Sequence, residues 1–213
     1  MTKFHANPTE TDMTASITRE QFLGALLGLD SYWGRKVAES LASLPGTPAE
    51  EWAACRRGDV LLAAAAQVGV DRRTIALAAC AAARPALGCM SAKENQPRLA
   101  IEAAEAWARR EKGATLRRAR MAAGRSARFG GSGPHAIFAA ASAAAHAARA
   151  AFAAAGAPHA AFAASCAADA LAYGAYDHLV SVRRQTLAAS ADVVRQHIPW
   201  SVVEAALAKR RSA

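Results

Sequence analysis

The chain reads as all-α, a compact antiparallel bundle of about nine helices, and three observations predict it. Alanine makes up about 29% of the 213 residues, and alanine has the highest helix propensity of any residue. Strand formers are sparse, and the connections between apolar stretches are short. The segment from Phe129 to Ala168 holds one formal charge, Arg149, and is otherwise dominated by alanine, which lets helices approach closely and leaves little functional side-chain surface. No period of the kind found in helical repeats recurs clearly, although HEAT-like stacking of irregular hairpins is compatible with the pattern.

Met1–Ser16 is polar and without apolar periodicity, and is expected to be a disordered tail. Thr18 and Gln21 have capping-box spacing and open a first helix with Phe22, Leu23, Leu26 and Leu27 as its apolar stripe. Tyr32–Leu44 continues as a second, stopped at Pro45-Gly46. Thr47-Pro48-Ala49-Glu50 starts a third, with Thr47 as cap, Pro48 in the first turn and Glu50 completing the box. Asp59 is expected to cap Val60–Val68, which Gly69 ends, and Asp71 to cap Arg72–Arg84 before Pro85. After a polar loop at Gly88–Gln96, a helix is expected from Pro97 to Lys112 and another from Ala114 to Arg128. Gly130-Gly131-Ser132-Gly133-Pro134 is a flexible break. A long helix follows to Ala155, another runs from Pro158 as far as His197 with a bend on the way, and Pro199 starts a short final one. Residues 17–56 form an N-terminal arm and 57–213 an alanine-rich core, read together as one domain. Trp33, Trp52, Trp107 and Trp200 are expected to anchor helix packing, with Trp107 buried.

The net charge of +9 is concentrated: residues 109–128 carry eight basic groups against Glu111 alone, and supply +7 of it. On a helix, Arg117, Arg118, Arg125 and Arg128 fall within an arc of about 100°, with Arg120 about 60° to one side. With Arg109, Arg110 and Lys112 they form the candidate partner-binding patch. Such a face suits an acidic protein or nucleic acid. It equally serves to solvate an alanine-rich surface. Single-strand binding also wants aromatic platforms, and none lies between Ala108 and Arg128.

Other chemistry is thin. His135 and His146 share one helix face, and His159 and Cys166 share another; four metal ligands would converge only if those faces met, and the spacings are looser than metal sites use. No metal and no cofactor is therefore expected. Glu102 and Glu105 read as local ion-pair partners of Arg98 or Arg109. Cys80 and Cys89 flank the Arg84-Pro85 helix end without a basic partner, and no GxSxG, P-loop or dinucleotide fingerprint occurs. An enzyme is not expected. Cys55, Cys80, Cys89 and Cys166 match no disulfide scaffold or CxxC pair and are read as buried apolar residues in a reduced, cytoplasmic setting. No signal peptide is visible, and the three histidines and Gly156-Ala157-Pro158 interrupt the alanine-rich run, so no membrane span is expected.

Three segments together resemble the bacterial Imm-5-like family of immunity proteins from polymorphic toxin systems. They are Cys55–Leu62 running into Gly69–Arg73, Ala78–Leu87, and Pro97–Arg109 with its Ile101-Glu102-Ala103 core and Ala106-Trp107-Ala108-Arg109 end. The resemblance covers roughly residues 51 to 180. It implies an all-helical, non-enzymatic protein that binds and neutralises a cognate toxin. It brings no catalytic residues with it. A +9 chain is a poor nucleic-acid mimic, so the expected target is an acidic toxin surface rather than a nuclease active site. The alternative is a basic helical nucleic-acid-binding or regulatory protein using the same face. A third option is a bundle whose alanine faces pack against copies of itself.

Overall fold

The computed structural model describes residues 17–27, 32–91, 93–129, 135–152, 156–175 and 178–212. They form eleven α-helices: α1 (Arg19–Leu27), α2 (Tyr32–Ala42), α3 (Pro48–Ala54), α4 (Gly58–Val68), α5 (Arg72–Ala83), α6 (Gln96–Ala108), α7 (Leu116–Phe129), α8 (His135–Ala150), α9 (Gly156–Tyr173), α10 (Leu179–His197) and α11 (Trp200–Arg211). A 3₁₀ turn, Arg84–Cys89, follows α5. No strand occurs among the described residues. The expected tail at Met1–Ser16 and the break at 130–134 lie outside them.

The local start signals work as chemistry requires. Thr18 and Gln21 exchange backbone-to-side-chain hydrogen bonds of 3.1 and 3.2 Å at the head of α1. Thr47 and Glu50 make the same reciprocal box at α3, and the Asp71 carboxylate accepts from the Arg73 and Thr74 amides at α5. Gly69, at φ 92°, ends α4 in the left-handed region.

Several expected helix boundaries are corrected by the fold. Asp59 does not cap α4. The helix begins two residues earlier, at Gly58 after Arg57, and Asp59 sits in its first turn, 2% exposed, accepting from Arg57 Nε and Nη2 at 3.1 and 2.5 Å. A guanidinium fork satisfies a buried carboxylate better than one backbone amide does. The helix count rises above nine partly because the chain from Pro158 to His197 is two helices. α10 folds back beside α9, where Arg183 Nε donates to Asp169 at 2.6 Å and its Nη2 to Ser165 at 3.2 Å. Finally, α6 stops at Ala108 and not near Lys112, for a reason given below.

The core is built on alanine. Every residue of α4 except Ala66 is buried, and α9, α10 and α2 pack on it. α8 and α9 lie side by side as an antiparallel hairpin: His146 meets His159 near the connection, and His135 meets Tyr173 at the far end. Nine alanines of α8 are buried. Where side chains are this small, the backbones themselves come into contact, and dispersion between close-packed surfaces replaces the burial of large apolar groups. The larger apolar residues gather at the other end. Phe22, Leu26, Leu41 and Trp52 are buried there, and Phe22 and Trp52 pack against Trp200 with ring centroids 5.4 and 6.4 Å away. Residues 17–56 thus share this core through α1 and α2 on α4.

Trp52 and Trp200 are packing anchors; the Trp33 side chain lies outside the described ones. Trp107 is half-buried rather than buried, and Arg73 shields part of its ring: the guanidinium carbon stands 4.8 Å from the ring centroid, and Nη1 donates to the Trp107 carbonyl at 2.9 Å.

Candidate functional site: a basic helix face

α7 sits on the outside of α6 and α8. Ala119, Ala123 and Ser126 form its buried stripe, and the Ser126 hydroxyl donates to the Ala141 carbonyl at 2.8 Å, which fastens α7 to α8. These three positions lie within about 60° of arc. The arc of Arg117, Arg118, Arg125 and Arg128 points the other way, and all four, together with Arg120, are exposed. None of the five takes part in an ion pair among the described residues. Met121 lies in the middle of the arc and is 49% exposed. The face is therefore a ring of cations around one apolar side chain, carried on a pinned helix.

The linker before α7 brings the remaining basic residues. Arg110 adopts φ 60°, and the Glu111 amide reaches back to the Ala106 carbonyl at 3.0 Å. This is the left-handed helix stop that glycine normally fills, and it is why α6 ends where it does. Arg110 and Lys112 are exposed on this linker, not on a helix. Arg109 is more engaged: Nη2 contacts Glu105 at 3.3 Å and Nη1 contacts Glu111 at 3.7 Å. Arg110 is an arginine where glycine costs less, at the edge of a cationic face. Arg110→Gly is expected to stabilise the fold by about 1 kcal/mol in urea denaturation.

Glu105 does more than the local pairing read from its helix. It is 5% exposed and takes two bonds from Arg84, at 3.0 and 2.6 Å, as well as Arg109. It joins the end of α5 to α6. Glu102 pairs loosely with Arg98 at 3.9 Å, as expected.

The four thiols sit in apolar surroundings to different depths. Cys55 and Cys80 are buried, whereas Cys89 and Cys166 are half-buried, a correction to the expectation that all four would be inside. Burial is the first cause pushing each of the four thiols up from the usual range, Cys166 to about 11.

The histidines divide. His135 stacks near Tyr173, 5.5 Å between centroids. His146 and His159, from facing helices, come together with Nδ1 atoms 3.1 Å apart. Phe162 lies against His146 at 5.1 Å. Burial, then the neighbouring His159, then Arg149 push His146 down from 6.5 to about 4; burial and Arg149 lower His159. The folded state thus resists protonation that the unfolded chain accepts. The stability tied to this pair is fully present above about pH 6.5 and is lost as pH falls toward 4. The melting temperature of metal-free protein is expected to drop across that window, and His146→Phe to flatten the drop; an unchanged profile in the variant would assign it to other groups.

No group of three or more histidine, cysteine, aspartate or glutamate side chains suited to a metal ion occurs among the described residues, and none of their helices is long and apolar enough to cross a membrane. The chain matches no family model, no curated protein and no solved structure.

Proposed function

We propose that this protein acts by binding another protein through the exposed face of α7, and that the partner is a toxin it neutralises. One observation carries the binding half: five arginines stand exposed around Met121, without ion pairs among the described residues, on a helix fixed by Ser126. An apolar centre inside a polar, charged rim is the anatomy of a protein interface. The absence of any aromatic residue from Leu116 to Arg128 favours a protein over a single-stranded nucleic acid. The toxin half rests on the resemblance of residues 51–180 to the Imm-5-like family. Under this reading the protein is non-enzymatic, works in the cytoplasm, and meets an acidic patch on its target.

Charge reversal tests it. Arg117→Glu, Arg118→Glu and Arg125→Glu together are expected to slow association with the partner by roughly tenfold or more at low salt and to flatten its salt dependence. All three side chains are exposed, so the fold should hold, and circular dichroism checks that. Unchanged association kinetics would remove α7 from the mechanism.

A further inference from the structure

The seam between α8 and α9 holds a pair of imidazoles in an arrangement that ordinary packing does not require. Their Nδ1 atoms are 3.1 Å apart and their ring centroids 5.3 Å, a difference close to two imidazole radii. The two centroids and the two nitrogens therefore lie almost on one line. In the metal-free protein one ring's Nδ1–H donates to the bare Nδ1 of the other, so a single proton sits between two lone-pair directions that point at each other.

We propose that His146 and His159 form a two-coordinate site for a monovalent d¹⁰ metal ion of the copper(I) class, bound in line between the two Nδ1 atoms. Three features select this class. Imidazole nitrogen is a good ligand for copper. No third histidine, cysteine or carboxylate stands with the pair among the described residues, so an ion that demands four ligands, such as zinc, is left incomplete. The surroundings also disfavour high charge: both rings are half-buried, Phe162 lies against His146, and the Arg149 cation acts on both rings. A single positive charge is easier to hold there than two.

The binding step balances without a redox partner. The shared proton leaves Nδ1 of the donor ring and that ring takes one up at Nε2, so both rings end as neutral Nε2–H tautomers with Nδ1 free for the metal. Bonds of roughly 2 Å to each nitrogen ask the rings to separate by somewhat under 1 Å from their 3.1 Å contact. Neither ring is fully buried, so small side-chain rotations can supply that movement.

Copper(I) also binds thiols, so the test uses the full chain with the two half-buried cysteines replaced, Cys89→Ala and Cys166→Ala. Copper(I) is titrated under reducing, anaerobic conditions against a chromogenic chelator. One equivalent is expected to be taken from the chelator, with both ring Nδ1 signals shifted in nitrogen NMR, and to be lost when either His146→Ala or His159→Ala is added. Zinc alone, titrated in parallel, should not shift those signals at the same concentration. Retention of the equivalent in both histidine variants, no uptake at all, or tighter uptake of zinc at the same nitrogens would each overturn the proposal. Should an alanine variant fail to fold by circular dichroism, His159→Phe replaces it, keeping the ring volume without the ligand.

Discussion

Replacing Arg19 with alanine is expected to destabilise the fold by about 3 kcal/mol, because it strands a buried charge. Glu51 in α3 is fully buried, and its carboxylate takes a bond from Arg19 Nε. Its second oxygen has no hydrogen-bond partner among the described residues, so nothing else stands ready to compensate. The same guanidinium also donates through Nη2 to the Ala42 and Leu44 carbonyls, at 2.7 and 3.0 Å, where α2 ends. One side chain thus ties α1, the end of α2 and α3 together. Arg19→Lys should recover only part of the loss, since an ammonium does not reproduce the planar fork that reaches all three acceptors. Adding Glu51→Gln to Arg19→Ala should also restore part of it, by removing the stranded charge. Urea unfolding of the three variants separates these outcomes. A cost below about 1 kcal/mol for Arg19→Ala would mean that the carboxylate finds other polar partners once the guanidinium is gone.

The second large effect is expected at Gly58, where alanine should cost about 2–3 kcal/mol despite its better helix propensity. A methyl group there would stand 2.2 Å from Ser190 Oγ and 2.7 Å from the Ser190 carbonyl carbon. The hydroxyl can turn away, although it then gives up its 2.8 Å bond to the Leu187 carbonyl. The carbonyl carbon cannot, so α10 has to move off α4. Gly124 in α7 is the control: a methyl group there meets nothing within 4 Å, so Gly124→Ala should be neutral or stabilise by up to about 1 kcal/mol. Equal costs at the two glycines would show that helix propensity, not the α4–α10 approach, sets the requirement at Gly58.

These two residues also mark where reading the sequence stops. Contacts that span three or four residues are legible, because helix geometry alone brings them together. Thr18 with Gln21, Thr47 with Glu50, and Asp71 with the next amides are of this kind. So is the exposed arc of α7, since the alanines at 119 and 123 name the buried side and the arginines then have one direction left. Contacts set by the fold of the whole chain are not legible. Nothing in the local sequence requires glycine at position 58; the requirement comes from Ser190, placed on it by the packing of α10. Asp59 looks like a cap until Arg57 takes it. Glu105 pairs with Arg109 on its own helix as spacing suggests, but its tighter partner, Arg84, lies twenty-one residues back. The histidines show the boundary most plainly: spacing assigned His146 and His159 to helix faces, yet only the hairpin decides that those two meet and that His135 goes to Tyr173 instead.

The most direct test of the central claim, that α7 presents a docking face for an acidic protein, is a paired capture. Tagged wild-type protein and the Arg117→Glu, Arg118→Glu, Arg125→Glu variant are each used to draw partners from the native host, with and without nuclease, and the recovered proteins are identified and quantified. The account predicts one stoichiometric, acidic protein held by the wild type, insensitive to nuclease, and lost or sharply reduced with the variant. Equal recovery by both proteins, or recovery that disappears with nuclease, would contradict it.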